Sequence, residues 1–229
     1  MPPSRVKRKP TAAKNRSAGD SGLRTRLLLA ALPDVAFDGW HDDLLTAAAI
    51  RAGVTVEKAE EVFPAGTRGL ALYLNEWADE ETRLRLTRED THAPRVRDRV
   101  ARGVEIRLDV LTPWKQAVSS ALCYLGTPPG GFLLPAHVWR TADMIWDMAG
   151  DTATDYNRYT KRLLLSGVLT ATTLYWLGDT SPDHTDTRAF LARRIDDALK
   201  IGKAAGKARG AAKGIRDLLR KREKGGQGA

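Results

Sequence analysis

Few of the residues that could act on a substrate stand at spacings that would let them act together. The four histidines are scattered at positions 41, 92, 137 and 184. Glu89-Asp90-Thr91-His92 is a lone ExxH, whereas a helical di-iron site needs two such pairs and two further glutamates from other helices. The sequence has no HExxH, CxxC, GxSxG or phosphate-cradling glycine loop, the patterns that set a metal, nucleophile or phosphate against its partners. It therefore reads as non-enzymatic, without metal or cofactor, and His92 reads as a solvent-facing or capping residue in a charged run.

Large apolar side chains are the more informative group. Trp77, Leu108, Leu111, Trp114, Phe132, Leu134, Trp139 and Trp146 fall in the long middle segments, and Phe132 follows the loop Pro128-Pro129-Gly130-Gly131. Two readings stand for them: a packed core, or the wall of a pocket for an apolar ligand. Cys123, the single cysteine, lies in the apolar string from Ala121 to Leu125 and reads as a buried, inert thiol. One cysteine closes no intramolecular disulfide, which fits a reducing compartment.

The elements that position these residues are helices. From Leu23 onward apolar residues recur at helical spacing, and no strand-like alternation is sustained. Helices are predicted at 24–36, 42–52, 56–63, 68–88, 94–111, 114–125, 134–148, 154–177, 185–201 and 203–224, separated by Gly, Pro and Asp clusters. No apolar run reaches the roughly 18 to 20 residues of a membrane-spanning helix. Four regions follow: a basic arm without structure at 1–22, a three-helix unit at 23–66, a helical body at 67–202 and a basic amphipathic helix with tail at 203–229.

The net charge of +9 suggests nucleic acid until it is divided along the chain. Residues 1–19 hold six Lys/Arg and no acids, and residues 193–229 hold twelve against four, so the stretch between is acidic by five charges. The first three helices have the lengths and turn of a helix-turn-helix. Phe37, Gly39, Ala48, Ala49, Ala52-Gly53-Val54 and Phe63 make this unit resemble TetR-type regulators. Its third helix, however, offers Glu57, Glu60 and Glu61 against Lys58. Phosphates and base edges call for Arg, Lys, Asn, Gln or Ser there, so specific DNA binding is not expected.

The last segment sets Ile215, Leu219 and several alanines on one face, with Lys203, Lys207, Lys213 and other cations elsewhere, and Leu218 beside the apolar face. Lys203, Lys207, Lys213, Ile215, Leu218 and Leu219 are the candidate membrane contacts, made mainly by charge. The competing reading is a solvated basic tail. Gly202, Gly206, Gly210 and Gly214 recur every fourth residue and lower its intrinsic helicity.

A more specific resemblance lies in Asp143-Met144-Ile145-Trp146, GDTATDYNRYTKR from Gly150, LYWLGDTSPDHTDT from Leu174 and FLARRIDD from Phe190, with AFDGW from Ala36 and FPAG from Phe63. These strings resemble the lipid-binding accessory family of ubiquinone (coenzyme Q) biosynthesis, ninth of the coenzyme Q proteins, over about residues 28–203. The resemblance implies an all-α, TetR-like bundle of about nine helices with an extra C-terminal amphipathic helix. It also implies a homodimer, binding of an isoprenoid lipid or ubiquinone precursor, and support of the di-iron demethoxyubiquinone hydroxylase. That places the chain on the cytoplasmic face of a bacterial inner membrane, or the matrix side in a mitochondrion. The partner surface it implies includes Asp143, Ile145, Asp155 and Tyr159, with Arg158 standing where the family usually has Trp. Asp151 and Asp155 also read as acids at a helix start, satisfying free backbone N–H groups. A lipid-responsive TetR-type repressor is the alternative function, disfavoured by the acidic third helix.

Overall fold

The computed structural model describes residues 12–89, 95–126, 134–151 and 156–225, with side chains described at 20–89, 95–126, 134–151, 157–204 and 206. Within these residues nine α-helices run α1 (Ala12–Asp38), α2 (Leu44–Arg51), α3 (Val56–Val62), α4 (Gly66–Arg88), α5 (Val96–Leu111), α6 (Lys115–Gly126), α7 (Leu134–Met148), α8 (Tyr156–Gly178) and α9 (Thr185–Gly225). Short 3-10 turns lie at Thr112–Trp114 and Pro182–His184. No strand occurs among the described residues, so the all-α expectation holds.

Three expectations need correction. The opening arm is helical from Ala12, because the alanines, lysine and arginine after Pro10 favour helix and no further proline intervenes before Pro33. The two helices expected at the C-terminal end are one, α9, of 41 residues. A lone glycine costs only about 1 kcal/mol relative to alanine, and neither proline nor a capping residue separates Ile201 from Lys203, so the hydrogen-bond ladder continues. Cys123 is exposed, not buried. It stands on the outer face of α6, whose buried positions are Ala117, Val118, Ala121 and Leu125.

The chain forms two compact units, residues 1–81 with 110–137 and residues 82–109 with 138–229. In the first, Leu27, Leu28, Leu32 and Val35 of α1, Leu44 of α2 and Leu70 of α4 are almost wholly removed from solvent. The turn between α2 and α3 follows from a C-terminal cap. Gly53 adopts φ +63°, where a side chain would be strained. Gly53 N–H then donates to Ile50 O at 3.1 Å and Val54 N–H to Ala49 O at 2.9 Å, the paired bonds that close a helix end. The Thr55 hydroxyl accepts from Lys58 N–H and starts α3. Pro33 deprives α1 of one donor. Nearby, Arg51 of α2 donates to Ala30 O at 2.6 Å and to Asp34 at 2.7 Å. Trp40 Nε1–H reaches Ala117 O at 3.1 Å and ties the loop after α1 to α6.

The second unit buries Val100, Val104 and Ile106 of α5, Met144 and Ile145 of α7, Leu165, Val168, Leu169 and Trp176 of α8, and Leu191 and Ile195 of α9. The corner from α8 to α9 is organised by buried Asp179. Its carboxylate accepts from Ser181 N–H at 2.8 Å, Thr187 N–H at 3.0 Å and the Thr187 hydroxyl at 2.5 Å. Those bonds, from Ser181 first and Thr187 next, hold its carboxyl well below the usual carboxylate range.

Candidate functional site

Two features of the second unit share α7 and α8. The first is a groove of about 280 Å³. Val100 from α5, Leu164, Leu165 and Val168 from α8, and Ile195, Ala198 and Leu199 from α9 make its apolar wall. These positions arise from ordinary amphipathic spacing: Leu164, Leu165 and Val168 recur at i, i+1 and i+4 on α8, and Ile195, Ala198 and Leu199 at i, i+3 and i+4 on α9. Asn157, Thr160, Lys161, Arg97 and Lys203 supply polar atoms, and Trp146 closes one side. Trp146 is fixed by its Nε1–H, which donates to Lys161 O at 3.1 Å, and by the Lys161 ammonium 5.2 Å from its ring centroid.

The second feature is an ion network. Asp143, Asp147 and Asp151 follow one another at four-residue intervals along α7 and just past its end, hence on one face. Gly150, at φ +80°, makes this register possible: its N–H caps Asp147 O and Asp151 N–H caps Trp146 O, turning Asp151 back toward the helix. Opposite them stands Arg162 of α8, only 1% exposed. Its guanidinium donates to Asp143 through Nε, to Asp147 at 2.9 Å and to Asp151 at 3.2 Å. Lys161 pairs with Asp151 at 2.7 Å and Arg158 with Asp143 at 3.1 Å. Burial pushes the Asp143 carboxyl up, but hydrogen bonds and charge from Arg162 and Arg158 outweigh it and hold the group below its ordinary value. Burial alone would lower Arg162; the carboxylates raise it.

The groove and the network fall largely within a recognisable stretch of sequence. Residues 133–202 match the profile of the COQ9 family. Beyond that stretch, the chain is 34% identical to the "Ubiquinone biosynthesis protein COQ9, mitochondrial" of Rattus norvegicus over 196 residues, 80% of this chain and 61% of that protein. The chain is similar to the COQ9 family. The Homo sapiens COQ9 protein is 31% identical over 193 residues, again 80% of this chain and 59% of its own length. The chain thus spans about three-fifths of the curated COQ9 proteins it matches. Among solved structures, a TetR transcriptional regulator from Nitrosomonas europaea ATCC 19718 superposes with TM-score 0.61 at 18% identity, covering 78% of this chain and 98% of that one. The last match bears on fold alone, and it agrees with the TetR-like expectation.

Of the eight residues read as a possible ligand wall, Trp146 lines the groove. Leu108 and Leu111 are core, at 7% and 2% exposure. Trp77, Trp114, Leu134 and Trp139 are half-buried. They are divided between the units: Trp77, Leu111, Trp114 and Leu134 in the first, Leu108, Trp139 and Trp146 in the second. Phe132 lies outside the described residues. The aliphatic wall was missed because it depends on which helices meet, whereas the tryptophans announce themselves by size.

The partner surface implied by the COQ9 resemblance also changes. Ile145 is 1% exposed and packs beneath Gly103 of α5, so it presents nothing to a partner; this corrects the expectation. Asp143 is occupied by two guanidiniums, those of Arg158 and Arg162. Asp151 sits in ion pairs with Lys161 and Arg162. Tyr159 is 63% exposed, stacked on Trp139 with centroids 6.4 Å apart. Asp155 lies outside the described residues, as do the side chains of Lys207, Lys213, Ile215, Leu218 and Leu219 and all of the ExxH except Glu89, which pairs with Arg102. Lys203 is exposed at the groove. Arg162 was overlooked, although the rows Asp143/Asp147/Asp151 and Arg158/Arg162 share a four-residue step that signals facing helices.

Tyr159 begins an uncharged exposed stripe. Tyr159, Leu163, Gly167, Thr170 and Leu174 recur at three- and four-residue steps on α8, all of them exposed, and no charged residue occurs from Leu163 to Gly178. On the first unit, Glu57, Glu60 and Glu61 of α3 are exposed, and the one lysine of that helix, Lys58, is paired with Glu61 at 2.8 Å. Such a surface repels a phosphate backbone.

Proposed function

We propose that the chain is a non-catalytic accessory protein of ubiquinone biosynthesis, which takes an isoprenoid lipid or ubiquinone precursor from an anionic membrane surface and presents it to the di-iron demethoxyubiquinone hydroxylase. The observation that carries this reading is the groove: eleven of its fourteen lining residues lie in the stretch that matches the COQ9 profile, and its wall is aliphatic. Each buried CH₂ is worth about 0.8 kcal/mol, so a polyprenyl compound cannot cross water unaided, and a protein surface that shields its reacting end lets that end leave the bilayer. At about 280 Å³ the groove is near the lower end of ligand pockets, ~300–1,000 Å³. It suits a head group and the first part of a tail, the remainder staying in the lipid.

Attachment to the membrane is peripheral in this reading: no described helix is long and apolar enough to cross a bilayer. The exposed stripe on α8 supports protein–protein contact, with a second copy of the chain along it and the hydroxylase at the Tyr159 end. A lipid-responsive repressor has nothing comparable in its favour, given the acidic α3.

Tyr159→Ala tests the presentation step. The side chain is mostly exposed, so stability should change by less than ~1 kcal/mol. In cells that depend on this chain, ubiquinone should fall and its demethoxy precursor accumulate. Unchanged quinone levels with a normally folded variant would remove Tyr159 from the partner contact.

A further inference from the structure

The groove is charged in one sense only. Among its fourteen lining residues, Arg97, Lys161 and Lys203 are cationic and none is acidic. Two of these charges are already answered from outside the groove: Arg97 pairs with Asp196 at 2.8 Å, and Lys161 with Asp151 at 2.7 Å. Lys203 has no ion-pair partner among the described residues, and it is exposed at the groove's α9 side, one residue beyond Gly202, which also lines it. A neutral ligand would leave that ammonium to water alone, whereas a carboxylate or phosphate would add an ion pair to it while its chain lies along Leu164, Leu165, Val168 and Ile195.

We infer that the groove selects a single-chain amphiphile with an anionic head, a carboxylate or phosphate, read by Lys203 at the mouth while the aliphatic wall takes the start of the chain. This rests on the groove being the lipid site proposed above. A neutral quinone would have to bind without help from Lys203.

Binding of farnesyl phosphate and farnesol to the full chain, followed by calorimetry with Trp fluorescence as a second readout, tests the inference. Because Lys203 is exposed and water screens the pair, a preference for the phosphate of about two- to fivefold is expected. Lys203→Gln should bring the ratio close to one. Lys200→Gln, which removes a neighbouring lysine absent from the groove, should leave it unchanged. Inorganic phosphate at the same concentration should not compete. Equal binding of the two compounds, or a ratio indifferent to Lys203→Gln, overturns the anionic selection while leaving the lipid reading intact. Failure of both compounds to bind overturns the two together, and effective competition by inorganic phosphate points to a free-anion site and overturns the amphiphile.

Discussion

Arg162→Met is expected to destabilise the chain by about 3–5 kcal/mol, the cost of removing one partner from a buried ion network, out of a total stability of order 5–15 kcal/mol for a domain. The guanidinium is nearly wholly buried and answers three carboxylates. Without it, Asp151, whose side chain is 4% exposed, loses one of its two cations and retains Lys161, and Asp143 loses one of its two guanidiniums and retains Arg158. Methionine fills the space but supplies no donor. By contrast, Asp147→Asn should cost under about 1 kcal/mol, because that carboxylate is 57% exposed and water screens it.

The sign of the pH dependence follows from Asp143. Its folded carboxyl is held below the ordinary value, so its contribution is present above the unfolded value of about 4 and is lost as pH falls through the lower folded value. In Arg162→Met the share of that lowering that Arg162 supplies is gone while burial still pushes the group up, so the gap between wild type and variant should narrow below about pH 4. Urea unfolding at neutral and acid pH measures this. Equal midpoints for Arg162→Met and Asp147→Asn would show that the network does not bind α7 to α8.

The second large effect concerns the end of α9. Cutting after Lys203 keeps every groove residue and removes eight Lys/Arg. At about 1 kcal/mol for each cation near an anionic leaflet, even half of them give ~4 kcal/mol, close to a thousandfold in affinity. Flotation with vesicles rich in anionic lipid should therefore lose the truncated chain, while the little binding to neutral vesicles stays as it was. Raising salt from ~0.05 to ~0.5 M should release the full chain, since exposed charges are then screened over a few ångströms. Salt-resistant or charge-independent attachment would mean that the helix inserts its apolar face instead.

How far the sequence reached differs between fold and site. Helical periodicity placed most helices within a few residues: 134–148 matches α7 as found, and Gly53 with Thr55 marked the turn before α3 because cap chemistry is local. Errors arose where a local signal was overruled by continuity, as at Gly202, where a glycine read as a break is carried through by the flanking helix. Cys123 misled in a related way, since an apolar string on a helix puts some of its members outward. The site was less legible because it is made by tertiary contact. Trp146 was found by its type, but Leu164, Val168 and Ile195 look like any core residues until α8 and α9 are seen to meet. Arg158 gained meaning only in three dimensions, as the partner of Asp143.

The central claim is that the groove of the second unit holds a lipid. Val168→Trp would place an indole among Leu164, Leu165 and Ile195 and fill much of its volume. Mass spectrometry of lipids extracted from wild type and from this variant, purified side by side at matched folding, is the most direct measurement. The account predicts an isoprenoid compound of the ubiquinone pathway carried by wild type and depleted more than about tenfold in the variant, a loss of 1.4 kcal/mol or more in binding. Wild-type protein free of lipid, or the same lipid in equal amount on both, would contradict it.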